Sequence, residues 1–511
     1  MEELTKKYFD DLLSRSFFQR SRFGNSQFTM HDLINDLAMS VSRESYLRWE
    51  GGESHEVLKG VRHLSYARGH FDSAAKFEPL YEVKHLRTFL PLRLEHAWRN
   101  YISKRVLHEL VPSLLCLRVL TLSHYKNIIE LPDSIGKLIH LRYLDLSNTA
   151  IKRLPSTVCT LYSLQTLLLS YCFSLIELPI DMRKLINLRH LDFSGTQIQE
   201  MPVQMGRLKS LRTLTTFCVG KSNGSTIGEL RELSHLEGKL SILKLNNVVD
   251  GRDALQANLK NKKDLKELEL AWSSEDADHS EKGGLPTPNL TQLDFYKCDK
   301  LKSLPERIHT LTALQYLSIR NLPNLESIAE DGGLPPNLRS FSIRNCERLR
   351  ASSSIVGDYC NWGLQALVSL DRFEIGGRGS DEILETLLKQ QLLPTTLHYL
   401  SIEELSTLKS LDGKGLAQLT SLRELFISRC DSLEFLPGEA LQHLTSLQEL
   451  YISNCPSLQF LPEEGLPPSL SYLKIFRCSA LEKRYQNKTG QDHWASISHI
   501  PCIEINDEVI I

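Results

Sequence analysis

The sequence predicts an α/β solenoid, with a parallel sheet on a concave face, irregular or helical segments on the convex side, and a different, mainly helical piece ahead of them. Three observations carry this. A nine-residue pattern with apolar positions one, four and six recurs along the chain from residue 117 onward. A Leu-Pro pair recurs at a fixed place behind it. Residues 1–45 hold no copy of the pattern and instead space their apolar residues as a helix does.

The pattern is L-x-x-L-x-L-x-x-[N/C/T], the leucine-rich repeat. Clear copies begin at Leu117, Leu141, Leu164, Leu188, Leu290, Leu314, Leu338, Leu397, Leu422, Leu447 and Leu470. Weaker ones begin at Leu211, Leu240, Leu265 and Leu370, giving fifteen, with a sixteenth candidate at Leu86. Most lie 23 to 25 residues apart. Side chains alternate across a strand, so positions four and six of one copy (Leu144 and Leu146) share a core with position one (Leu141). A single copy cannot bury its own leucines, whereas neighbours stacked at about 4.8 Å can. Behind the strand, Leu131-Pro132, Leu154-Pro155, Leu178-Pro179, Leu304-Pro305, Leu436-Pro437 and Leu461-Pro462 mark a return segment that needs no ladder hydrogen bonds.

Position nine accounts for most cysteines. It holds Cys172, Cys298, Cys346, Cys430, Cys455 and Cys478, with Thr149 and Thr196 in other copies. These six of eleven are expected as reduced thiols turned inward toward loop backbone. Disulfides or a metal site are the rival readings, but ladder spacing is not ligand spacing.

Ahead of the repeats, Leu4, Tyr8 and Leu12 form one helical stripe. Gly24-Asn25-Ser26 marks a turn, and Leu33, Leu37 and Val41 form a second stripe. So short a piece is marginal on its own, and a small domain cut short at Met1 is expected. Thr29-x-x-Asp32 reads as a capping box, with Thr29 at the N-cap and Asp32 at N3. Capping then leaves His31, at a helix start suited to anions, without a structural task. The expected organisation is 1–49 for this partial domain, 50–116 for a linker and irregular first repeats, 117–479 for the repeats and 480–511 for a tail. A loop is expected at 273–289, and the alternation around Ile503 and Ile505 suits a strand that caps the last repeat.

Lys plus Arg number 60 against 62 Asp plus Glu, so nothing global points to nucleic acid. No apolar run suggests a membrane span. The sequence contains no G-x-x-x-x-G-K-[S/T], H-E-x-x-H or C-x-x-C, and no enzyme is expected. The concave face is the better candidate. Its outward positions seven and eight change from Ser123-His124, Ser147-Asn148 and Ser194-Gly195 to Tyr296-Lys297, Arg320-Asn321 and Arg344-Asn345, with Arg429 and Arg477 at position eight further on. Tyr296, Lys297, Arg320 and Arg344 fall on three consecutive copies and should form one basic, aromatic-edged patch for a protein partner. Glu403 and Glu404 interrupt it, against a continuous nucleic-acid groove.

Two stretches carry a family resemblance. "YFDDLLSRSFFQRS" followed by "FTMHDLINDLA" resembles the end of the nucleotide-binding module of plant intracellular immune receptors, the nucleotide-binding leucine-rich-repeat proteins of the coiled-coil class. Met30-His31-Asp32 matches that family's motif in a winged-helix subdomain. Residues 205–272 and the tail "HWASISHIPCIEI" resemble the same family. The resemblance implies a cytoplasmic or nuclear receptor for pathogen effectors or guarded host proteins, switched by exchange of ADP for ATP. His31, with Met30 and Asp32, is by resemblance the phosphate contact. The family's coiled coil, phosphate loop and first helical subdomains are not in this sequence. No cofactor is therefore expected in this chain alone, and a full-length receptor or its N-terminal domains are expected partners. The alternative is a repeat adaptor that binds proteins without nucleotide switching.

Overall fold

The computed structural model describes residues 2–20, 28–42, 45–49, 60–92, 100–221, 225–248, 251–272, 289–305, 308–328, 333–350, 354–355, 358–359, 362–462, 465–485 and 497–510. The expected turn at 24–26, the 273–288 part of the expected loop and Cys360 lie outside them. The chain forms two units, Met1–Ile198 and Gln199–Ile511.

The first unit begins with helix Glu2–Ser14, an antiparallel hairpin of Phe18–Arg20 and Phe28–Met30, and helix Asp32–Ser42. A parallel sheet follows. Its strands are Tyr46–Trp49, His63–Ala67, Thr88–Leu92, Val119–Thr121, Tyr143–Asp145, Thr166–Leu168 and His190–Asp192. Position four stays in register from copy to copy, Leu120 beside Leu144, Leu167 and Leu191, all of them fully buried. Each such leucine contributes roughly 1.5–3 kcal/mol of burial. On the convex side Pro132 (φ −70°, ψ 148°) and Pro155 (φ −64°, ψ 146°) each lead into a 3-10 turn, Asp133–Lys137 and Ser156–Thr160. The ring fixes φ where the chain must turn and no amide is needed.

The sixteenth candidate at Leu86 does precede a strand of the sheet. Two earlier strands, Tyr46–Trp49 and His63–Ala67, were not expected inside the sheet. The second is a disguised copy, with Val61, Leu64 and Tyr66 buried at positions one, four and six.

The second unit is built on a thirteen-stranded sheet among the described residues, parallel from Thr216–Cys218 to Cys502–Ile505. Its core ladder runs Leu293, Leu317, Phe341, Phe373, Leu400, Leu425, Leu450 and Leu473 in register. Convex segments here include true helices, Ser380–Lys389, Gly413–Ala417 and Gly438–Gln442. The tail pairs as expected. Cys502–Ile505 joins Tyr472–Phe476, and Ile503 and Ile505 are buried. A last antiparallel strand, Glu508–Val509, closes the edge.

The position-nine cysteines turn inward. Cys172 Sγ lies 3.1 Å from Leu146 O, Cys346 Sγ 3.5 Å from Arg344 O and Cys430 Sγ 3.4 Å from Ser428 O. Burial pushes the Cys346 thiol up to about 11, so it stays protonated. Cys159 and Cys218 fill core, while Cys116 and Cys502 are only half-buried.

Candidate partner-binding surface and the Met-His-Asp segment

Phe9 packs edge-on against Phe28 (4.9 Å between ring centres) and face-on against Phe18 (5.2 Å), which fixes the hairpin on the first helix. The hairpin holds Thr29 extended opposite Gln19, and the Thr29 hydroxyl donates to Gln19 O. Thr29 is therefore not the N-cap, and Asp32 is not at N3. His31 is the cap. Its carbonyl accepts from Asn35 N at 2.9 Å, and its ring Nδ1 accepts from Leu33 N at 3.3 Å. Acceptance at Nδ1 leaves the ring proton on Nε2. Asp32 opens the helix at N1, where its carboxylate suits the dipole.

The expected amphipathic helix forms, but its stripe faces out. Leu33, Leu37 and Val41 are 72%, 58% and 81% exposed. Nδ1 of His31 is engaged inside its own helix, and the sequence offers no phosphate loop to supply converging amides.

In the second unit the register places Tyr296, Arg320 and Arg344 side by side on three successive strands. The Arg320 guanidinium lies 5.5 Å from the Tyr296 ring centre and Lys297 Nζ 5.3 Å from it. The geometry expected from spacing is therefore present, but its charge is not that of a basic patch. Arg320 faces Asp294 at 3.6 Å. Arg344 bridges Glu374 at 3.5 Å and Glu403 at 2.8 Å. Arg344 is the register partner of Gly376, whose lack of a side chain opens its path to Glu403 one strand further. Glu403 is thus a partner of the row rather than an interruption. Arg429 pairs with Glu404, and Arg477 lies against the Phe476 ring at 5.0 Å; both stand apart from the row. Among these cations Lys297 is exposed and makes no ion pair among the described residues.

Position eight has a backbone task that spacing alone did not reveal. Lys297, Asn321, Asn345, Glu404, Arg429, Asn454 and Arg477 all have φ between 52° and 58°. Most of their amides continue the ladder into the next strand, as Lys297 N does to Arg320 O (3.1 Å) and Arg429 N to Ser453 O (2.9 Å), while Arg477 N donates to Asn506 Oδ1 at 2.9 Å. Asn and Gly tolerate this left-handed turn best. The recurrent asparagines there answer to the backbone, and the Lys and Arg residues sit at a conformational cost of about 1 kcal/mol each.

The profile of the leucine-rich repeat region matches residues 101–329, and that of the disease resistance protein winged helix domain matches residues 1–38. A putative disease resistance RPP13-like protein 1 of Arabidopsis thaliana is 46% identical over 351 residues, 68% of this chain and 32% of that protein. This chain belongs to the disease resistance proteins. A second Arabidopsis thaliana relative, putative disease resistance protein At3g14460, is also 46% identical, over 53% of this chain and 19% of its own length. Putative disease resistance protein RGA1 of Solanum bulbocastanum is 38% identical over 53% of the chain and 25% of that protein. The chain thus spans about a third or less of these relatives. Among solved structures, a leucine-rich-repeat protein of Leptospira interrogans matches with a TM-score of 0.44 and 18% identity, over 84% of this chain and 93% of that one. In this member of the disease resistance proteins no helix of the described residues is long and apolar enough to cross a membrane.

Proposed function

We propose that this chain serves plant immunity as a recognition element, whose repeats bind a pathogen effector or a guarded host protein in the cytoplasm or nucleus. The observation that carries this reading is the open row of Tyr296, Arg320 and Arg344, set in register on the sheet of a disease resistance protein. Rigid aromatic and guanidinium groups on a fixed scaffold are common interface anchors. Lys297, which makes no ion pair among the described residues, adds a charge beside them, and Arg429 and Arg477 stand apart as further candidate contacts. The uncovered stripe of Leu33, Leu37 and Val41 suits a further domain or a full-length receptor as a second partner. In that setting ADP or ATP would belong to the assembly, with Nε2 of His31, beside Met30 and Asp32, facing its phosphates.

Affinity purification of the chain from pathogen-challenged leaf tissue tests the recognition role. A protein recovered with the native chain should fall by about tenfold with Tyr296→Ala/Arg320→Ala, at an unchanged melting temperature. Equal recovery would remove this row from recognition.

A further inference from the structure

Further along the second unit, the open sheet face carries a row of aromatic rings. Tyr399 and Phe426 lie 5.0 Å apart, Phe426 and Tyr451 4.1 Å apart with planes within 7°, and Tyr451 and Tyr472 5.3 Å apart. All four are half-buried, so their outer edges make a rigid apolar floor.

Charge on the same face specifies what fits the floor. Outward positions three, five and seven from Arg372–Gly376 to Cys502–Ile505 hold five carboxylates, Glu374, Glu403, Glu424, Glu449 and Glu504, against two cations, Arg372 and Lys474. Most of these groups are matched. Arg344 bridges Glu374 and Glu403, Lys474 pairs with Glu504 at 2.7 Å and Asp507 at 2.9 Å, and Arg372 stacks 3.6 Å from the Tyr399 ring centre. Glu424 and Glu449 are left. They are direct register partners on neighbouring strands, flanked by Tyr399 and Tyr472, with Phe426 and Tyr451 two positions along. Neither forms an ion pair among the described residues; Glu449 accepts only from the Tyr451 hydroxyl at 2.7 Å. Like charges placed opposite one another disfavour the bare face.

The same sheet shows how such a pair is satisfied. Glu374 and Glu403 also stand on neighbouring strands, and one guanidinium spans them. We propose that the face over Glu424 and Glu449 takes an arginine side chain from a protein partner. Its stem lies on the edges of Phe426 and Tyr451, and its guanidinium bridges the two carboxylates. A planar fork of donors reaches both acids at once, whereas an ammonium is a point charge and serves them less well. This assignment rests on the reading that the repeats recognise a protein, and it adds a second surface with a stated chemistry.

Fluorescence anisotropy on the full chain tests it, with a labelled peptide of alternating glycine and arginine as probe. Lysine and the neutral isostere citrulline replace arginine in two control peptides. The arginine peptide should bind more tightly than the lysine peptide and about tenfold more tightly than the citrulline one. Glu424→Gln/Glu449→Gln should lose that preference while keeping its melting temperature, since it removes a repulsion. Tyr296→Ala/Arg320→Ala should keep it. Equal binding of the arginine and citrulline peptides, or an unaltered preference in the double glutamine variant, overturns the assignment. If the peptide fails while partner recovery still depends on Tyr296 and Arg320, the arginine site falls and the recognition role stands.

Discussion

Lys262 lies 2% exposed and donates to Leu230 O at 2.7 Å and Leu233 O at 2.6 Å. Burial lowers its ammonium to about 8 from its ordinary 10.5. The sign of its effect follows. Below pH 8 the amine is charged in both states, and folding carries the cost of desolvating it. Between 8 and 10.5 the unfolded chain holds more protons than the folded one, so stability rises with pH and the cost is gone above 10.5. Urea unfolding on either side of that window should show the native chain gaining on Lys262→Met as pH rises; a constant difference would mean that the amine stays hydrated. Residue-scale detail was the least legible in the sequence. The capping box at Thr29 had the right residue types, but strand pairing with Gln19 keeps Thr29 extended and moves the cap to His31. Pairing partners from ten residues away are not written in a four-residue motif.

At the scale of elements, the short convex helices pack with little room. Asp412 caps Gly413–Ala417 by accepting from Gly415 N at 3.0 Å, and a Cβ on Gly415 would stand 2.0 Å from Leu388 O. The obstacle is backbone, so Gly415→Ala should destabilise the second unit by about 1–3 kcal/mol, measured by chemical unfolding. The tail makes the complementary point. Ile503 and Ile505 seat a strand that covers the edge of Tyr472–Phe476. Ile503→Lys/Ile505→Lys should unseat it and bring concentration-dependent association, read by light scattering; a monodisperse variant would show that the edge needs no cover. The leucine spacing announced most strands, because neighbours must bury the same three positions. His63–Ala67 escaped notice because Val61 and Tyr66 replace two leucines there, and apolar volume rather than leucine identity is what the core requires.

For the molecule as a whole, repetition made the architecture readable while concealing the surface chemistry. Tyr296, Arg320 and Arg344 could be aligned by counting, yet Asp294 beside Arg320 and Glu403 beyond Gly376 changed what that alignment means. Counting along one strand gives the side on which a residue emerges; its charge depends on strands beside it. This has a bearing on how such a chain can vary. A gene segment encoding one repeat, gained between Ser340–Arg344 and Tyr399–Glu403, would keep each leucine in its layer and leave folding intact. It would also separate Arg344 from Glu403 and break their ion pair. Unequal recombination would thus rearrange the charges of this face in one step, without a single point mutation in the core.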